Sequence, residues 1–155
     1  MTNIKKNIKI NYTFELLKQF HADMFKNNIR MSLKYCRSRG QLTGLAPIGY
    51  KNIRDEKNNP DVIVNTKQAN IIIKLFKEYA TGKYSIKQIT NLANSLGLVN
   101  RYGKPVSESG INKMLKNPFY YGEMLIKGTF MPHKYQKLID KSLFDDVQTV
   151  MKSHK

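Results

Sequence analysis

One cysteine, Cys36, and three histidines, His21, His133 and His154, are all the thiol and imidazole ligands in this 155-residue sequence. A lone thiol excludes a disulfide framework, and so sparse a ligand set gives no reason to expect a metal. No cofactor or small-molecule substrate is expected either. No apolar run reaches the roughly 18 residues that span a bilayer, and residues 1–11 are polar and lysine-rich without the apolar stretch of a secretory signal. The chain is therefore expected in the cytoplasm, associated with the nucleoid and without a membrane partner. Acidic residues are scarce, 11 against 27 lysines and arginines, and only five of those cations are arginine: Arg30, Arg37, Arg39, Arg54 and Arg101.

The shortage of acids leaves a formal net charge of +16 and a pI near 9.9. An excess of that size on a small chain repels itself unless a polyanion is the usual neighbour, and the commonest such neighbour is nucleic acid. No single tail carries it. Residues 1–50 hold nine basic and two acidic side chains, 51–100 eight and four, and 101–155 ten and five. An AT-rich coding bias accounts for the choice of lysine but not for the missing acids. At 41% hydrophobic and 25% charged residues the composition is that of a folded chain with a modest core, one domain with an appendage.

Residues 1–10 read as a polar arm. From 11 to 39 there is neither glycine nor proline, and Leu17, Met24 and Met31 recur every seven residues with Phe14, Phe20 and Ile29 widening the stripe. This predicts a long amphipathic helix, with Arg37 and Arg39 near its negative end and Gly40 as its stop. Residues 40–155 form the second region. Gly44, Pro47 and Gly49 precede Tyr50 in a specific turn, a lysine-rich and asparagine-rich loop follows, and 62–64 is a short strand candidate. A helix capped by Asn65 or Thr66 runs to about Ala80, with Ala69, Ile72, Ile73, Phe76 and Tyr79 inward. Ser85 and Gln88 make a capping box for a second helix, with Ile86, Ile89, Leu92, Ala93 and Leu96 inward before Gly97. Ser107 caps a third, ending before Asn117 and Pro118. Residues 119–126, a turn at Lys127 and Gly128, and 129–131 predict a hairpin, and a last helix from about Lys141, capped by Asp140, buries Leu143, Phe144, Val147, Val150 and Met151. The fold class is thus α+β, mainly α: a long N-terminal helix, then a small helical domain with a helix-turn-helix-like core and a short hairpin.

In a helix-turn-helix the second helix lies in the major groove while the first braces it. Residues 85–96 and 107–116 suit those parts, although a connection of about ten residues is longer than the usual tight turn. The third helix sets Ile111, Met114 and Leu115 on one face and Ser109, Asn112, Lys113 and Lys116 on the other. The partner expected is double-stranded DNA. Ser109 and Asn112 are expected on base edges, with Lys113 and Lys116 on phosphates. Arg37, Arg39, Lys51 and Arg54 would hold the backbone near the helix end and the 44–50 turn, Arg101 and Lys104 would make a loop contact, and Lys87 and Ser107 complete the set. A basic RNA-associated module shares the charge, but neither an aromatic platform of the RNP kind nor a GXXG clamp is present.

Gly44, Pro47, Gly49 and Tyr50, the helix end Phe76 and Tyr79 with Gly82, then Tyr84, Ser85, Ile86, Ile89, Leu92, Asn94 and Gly97, then Gly103 and Lys104, and finally the run Leu115, Lys116, Asn117, Pro118, Phe119, Tyr120, Tyr121 and Gly122 form a spaced pattern. It resembles the recombinase domain of large serine site-specific recombinases, of the resolvase, invertase and integrase type. The likeness extends from about Phe14 to the C-terminus, including Leu138, Ile139, Asp140, Leu143, Phe144, Val147 and Gln148. It implies that the long helix joins a catalytic domain to a DNA-binding one, and that the helix meets such a domain or a second copy of itself. Gly44, Pro47, Gly49, Tyr50, Asn117, Pro118, Tyr121 and Gly122 would be architectural.

The family's nucleophilic serine, in a Tyr-x-Arg-x-Ser context, has no counterpart here. Ser38 lies three rather than four residues after Tyr35, at a helix end. The five scattered arginines do not supply the convergent cations that stabilise a transferring phosphoryl group. No histidine is followed by arginine three residues on, as the tyrosine recombinases require, and no Walker loop, paired-carboxylate site or supported Ser-His-Asp set occurs. No catalytic residue is expected. The function expected is duplex binding at attachment-type sites as the recombinase-domain fragment of such an enzyme. The alternative is a non-catalytic remnant or regulator that binds the same DNA.

Overall fold

The computed structural model describes residues 2–153, and their side chains from Thr13 onward; Met1, His154 and Lys155 lie outside the described residues. Two compact units divide after Ser38. The first is a single helix, α1, Thr2–Ser38. It begins nine residues before the expected start at 11, so the expected polar arm is helical from Thr2. Nothing in that segment breaks a helix, and lysine is a good helix former. Its 37 residues extend roughly 55 Å. Phe14, Leu17, Phe20, Met24, Ile29 and Met31 are all exposed on it. Lys18 pairs with Glu15 at 3.1 Å and lies 4.6 Å from the Phe14 ring centroid, and Lys26 pairs with Asp23 at 3.8 Å. Such exposed pairs contribute a few tenths of a kcal/mol.

The second unit runs, in chain order, through β1 (Tyr50–Arg54), β2 (Pro60–Val64), α2 (Thr66–Ala80), α3 (Ile86–Ser95), α4 (Glu108–Leu115), a 3-10 turn (Pro118–Tyr121), β3 (Glu123–Ile126), β4 (Thr129–Pro132) and α5 (Lys141–Ser153). Helices dominate, and the strands form two separate antiparallel hairpins. β1 corrects the sequence reading, which has a loop there. Tyr50 opposes Val64 and Arg54 opposes Pro60. The turn between them is built on Asp55, whose Oδ1 accepts from the backbone N–H groups of Lys57 and Asn59, while Asn58 takes the left-handed conformation. Five polar residues in a row hid a hairpin loop that asparagine and aspartate can hold by side-chain bonds.

The helical core follows the apolar spacing with small departures. Ala69, Ile72, Leu75, Phe76 and Tyr79 of α2 are buried, so Leu75 joins the face while Ile73 is half-buried. Asn65 is the N-cap residue of α2, but its side chain makes no capping bond. In α3 the buried set is Ile89, Thr90 and Ala93; Leu96 lies past the last turn and is exposed. Thr90 is accommodated because its hydroxyl donates to Ile86 O at 2.8 Å. Phe144 and Val147 anchor α5 against α2, with Leu143, Val150 and Met151 packed around them.

Residues 118–121 turn as a 3-10 helix rather than extending as a strand. Pro118 occupies its first position and Asn117 Oδ1 accepts from Phe119 N at 3.1 Å, both of which favour a helical start. The turn packs Phe119, Tyr120 and Tyr121 into the core, and Gly122 leaves it with φ +111°. Burial raises the pKa of Tyr121 to about 12, with its hydrogen bond to Glu123 as the second cause. Gly49 is required by space as well as by backbone. With φ +92°, a Cβ there would lie 2.5 Å from Ile72 Cδ1 and 3.3 Å from Leu138 Cδ1. Gly44 meets nothing within 4 Å.

His133 directly follows β4 at the end of the second hairpin. Half-buried, it stacks on Phe119 at 4.1 Å between ring centroids; Nε2 lies 2.7 Å from Phe119 O, and Nδ1 accepts from Tyr135 N at 3.1 Å. That arrangement uses the neutral ring protonated at Nε2. Burial holds its pKa below the ordinary imidazole value of 6.5.

Two outcomes follow from this packing. Gly49→Ala should destabilise the domain by about 2 kcal/mol or more through overpacking and a positive φ, and Gly44→Ala by no more than about 0.5 kcal/mol, as urea unfolding would measure. Because the pKa of His133 is lower in the folded than in the unfolded chain, the unfolded chain binds more protons as pH falls through the imidazole range. The contribution is therefore complete above about pH 6.5 and lost below it. A thermal midpoint that falls between pH 7.5 and 5, and falls less in His133→Gln, is the expected result.

Candidate nucleic-acid interface

Both helices of the α3–α4 pair are fixed at their N-termini by the residues that the pattern named. Ser85 Oγ accepts from Gln88 N while Gln88 Oε1 accepts from Ser85 N, completing the capping box. Ser107 Oγ accepts from Gly110 N and lies 3.1 Å from Ser109 Oγ. The hydroxyl of Ser107 is thus engaged in capping α4. Gly110 allows this approach, since a Cβ there would lie 2.8 Å from Val106 Cγ1.

The long connection between these helices is ordered by two asparagines. Asn94 receives Val106 N at 3.0 Å and donates to Val106 O at 3.3 Å, so its amide pairs with that residue as a strand would. Asn100 Oδ1 accepts from Tyr102 N and Lys104 N, and Asn100 N donates to Lys104 O. Val99 and Pro105 form an antiparallel bridge below this tip. Residues 99–105 are a miniature hairpin inserted into the turn of a helix pair, which answers the excess length.

On α4, Ile111, Met114 and Leu115 are buried, and Ser109, Lys113 and Lys116 are exposed. Asn112 does not fully share their face. It is half-buried, and its Oδ1 is enclosed without a hydrogen-bond partner. At 100° per residue, position 112 falls on the flank between the buried and exposed faces.

A cleft of about 600 Å³ lies between α4, the N-terminal end of α2, the 45–52 segment and residues 99–101. It gathers Lys51, Arg101 and Lys113 from three separate elements. Among the described residues that line it there is no carboxylate; the other polar side chains include Asn52, Gln68, Asn100 and Asn117. These amides shape the walls. Asn52 bonds Ala46 N and Gly44 O, Gln68 donates to Val99 O, and Asn117 caps the 3-10 turn. Three cations in an acid-free concavity give it a positive potential, which favours anionic groups over cationic ones.

The remaining sequence-predicted cations lie outside the lining of this cleft. Lys104 is exposed on the 99–105 tip and Lys87 on α3. Arg54 is exposed and donates to Asn58 O at 2.8 Å across its own hairpin. Arg37, half-buried, belongs to the unit formed by α1, and Arg39, exposed, opens the second unit. Asn52, Gln68 and Asn100 were missed by the sequence reading, because a wall-forming amide has no spacing signature. Asn94 stood out only as part of the family resemblance.

A family model described as Recombinase matches residues 66–154. Among solved structures, a crystal structure of a LSR-DNA complex is similar with a TM-score of 0.64 and 18% identity, over 81% of this chain and 38% of that one. A structure described by the sequence requirements of the Listeria innocua prophage attP site gives a TM-score of 0.62 and 19% identity, over 79% of this chain and 51% of that one. At these identities the likeness is one of fold. The chain spans about two fifths and about half of these two proteins. No curated protein matches it.

Replacing Asn94 by alanine would leave the N–H and C=O of buried Val106 without their partners. A loss of about 1–3 kcal/mol in urea unfolding, with faster hydrogen exchange at the Val106 amide, is expected.

Proposed function

The chain belongs to the Recombinase family, and from that membership we propose that it binds duplex DNA at attachment-type sites, as the recombinase-domain portion of a serine site-specific recombinase that integrates, excises or inverts DNA. The observation that carries this reading is the acid-free cleft uniting Lys51, Arg101 and Lys113 beside the exposed face of α4. The fold shared with a protein solved as a DNA complex supports it. No residue of this chain is assigned to strand cleavage.

In this reading α4 enters the major groove. Lys113, with Lys51 and Arg101 from the same cleft, meets phosphates on one side, Lys116 meets phosphate at the end of the helix, and Ser109 faces base edges. Asn112 reaches a base by rotating outward. Its inward acceptor has no partner, so the rotation forfeits no hydrogen bond from Oδ1. Arg39, Arg54, Lys87 and Lys104 add backbone contacts around this centre, and Arg37, at the end of α1, is a further cation for the DNA backbone. The exposed apolar side chains of α1 fit a protein partner, either a serine catalytic domain or a second copy of the helix. A role on DNA fits a location at the nucleoid.

Selection against random duplexes at near-physiological salt, with RNA as competitor, tests the reading. Enrichment of one half-site is expected; uniform binding, or RNA competing as well as duplex, would discard it. On the selected duplex, Lys113→Ala should weaken binding to all sequences alike and flatten the salt dependence by about one unit of slope. Asn112→Ala should instead lower discrimination between sites by about 1–3 kcal/mol. An equal loss on every sequence for both variants would remove α4 from the groove.

A further inference from the structure

Tyr102 is the most exposed large apolar side chain among the described residues, at 77%. Its backbone is nonetheless pinned. Its N–H donates to Asn100 Oδ1 at 2.8 Å, Lys104 N donates to the same oxygen at 3.1 Å, and Gly103 N donates to Asn100 O at 3.0 Å with Gly103 at φ +73°. The Val99 to Pro105 bridge closes the base of the tip. Exposed loop apices are ordinarily small and polar. Here ordered backbone holds an aromatic ring out in water, next to Arg101, whose guanidinium carbon lies 5.9 Å from the ring centroid. Arg101 also lines the basic cleft, so Tyr102 directly follows a residue of that cleft in the chain.

We propose that Tyr102 is a specificity-determining residue, packing its ring against the sugar and base edges of a flanking step in the minor groove. The inference rests on the duplex-binding reading above. With α4 in the major groove, the tip that leads into it through Val106 and Ser107 meets the neighbouring groove across one strand of backbone. A single aromatic side chain on a narrow tip suits a groove about 6 Å wide, where a helix does not fit. Arg101, on the phosphates of that strand, holds the tip at the groove's edge, and the ring, as an apolar wedge, favours steps that unstack easily. The tip therefore reads deformability next to the sequence that α4 reads by contact.

Wild type, Tyr102→Phe and Tyr102→Ala are selected in parallel against random duplexes, and affinities are measured on the wild-type half-site and on an unrelated duplex. Tyr102→Phe should stay within about twofold of wild type. Tyr102→Ala should bind the half-site about tenfold more weakly, bind the unrelated duplex unchanged, and lose the flanking preference. Distamycin, a minor-groove ligand, should displace wild type more readily than the alanine variant. All three should melt together, because the ring is exposed. If the alanine variant selects the same positions with the same affinity while wild type keeps its half-site, Tyr102 has no such role and duplex binding stands. A phenylalanine variant as weak as alanine, or a lowered melting midpoint in the alanine variant, overturns ring packing as the cause. Failure of wild type to bind any duplex removes both readings.

Discussion

Tyr120 ties together three segments far apart in the chain. Its ring is 1% exposed, and its hydroxyl donates to Ile48 O at 2.8 Å, while its own carbonyl accepts from both Leu138 N and Ile139 N. A phenol taken out of water must keep a hydrogen-bond partner, so the 44–50 turn can sit in only one place relative to the 3-10 turn. Burial raises the pKa of Tyr120 and Tyr50 well above the ordinary phenol value, and both remain neutral donors. Tyr50 donates to Gln136 O and meets Phe119 edge-on at 5.0 Å, which repeats the constraint one residue along. The ring of Tyr120 also contacts Phe76 of α2.

The position of the cleft is a consequence. Lys51 follows Tyr50 directly, and Tyr50 is anchored in the core, so the outward-pointing lysine is delivered opposite α4. Gly49 allows the turn to lie against Ile72 and Leu138. Lys113 is placed by the other half of the core, through Ile111, Met114 and Leu115. Arg101 is held by the asparagine-built tip rather than by burial. Three cations from distant parts of the chain are thus brought to the lining of one cleft by apolar packing and amide hydrogen bonds.

Much of this was legible without coordinates. The capping residues Ser85 and Ser107, the stops at Gly40, Gly82 and Gly97, and the faces of α2 to α5 all follow from local preference, and positive φ at each of those glycines agrees. The illegible parts share a physical origin. β1 carries Lys51, Asn52 and Arg54 and buries only Tyr50 fully, so its alternation is lost among polar side chains. The 3-10 turn reads as a strand because three consecutive aromatics have strong β preference, and only the Asn117 cap and Pro118 redirect them. His133 gains its role from a stack with Phe119, 14 positions away.

By itself the sequence determined the charge, the order of the helices with most of their ends, and the spaced motif that resembles the family. Those properties depend on composition and on neighbours within a few residues, where propensity and capping act. Tertiary structure alone decided that Lys51, Arg101 and Lys113 share one cleft, that Asn112 turns its oxygen inward, and that Tyr102 stands in water on a pinned tip. Each of these is set by close packing or by hydrogen bonds between groups that meet only when the core closes, and no local pattern encodes such a meeting.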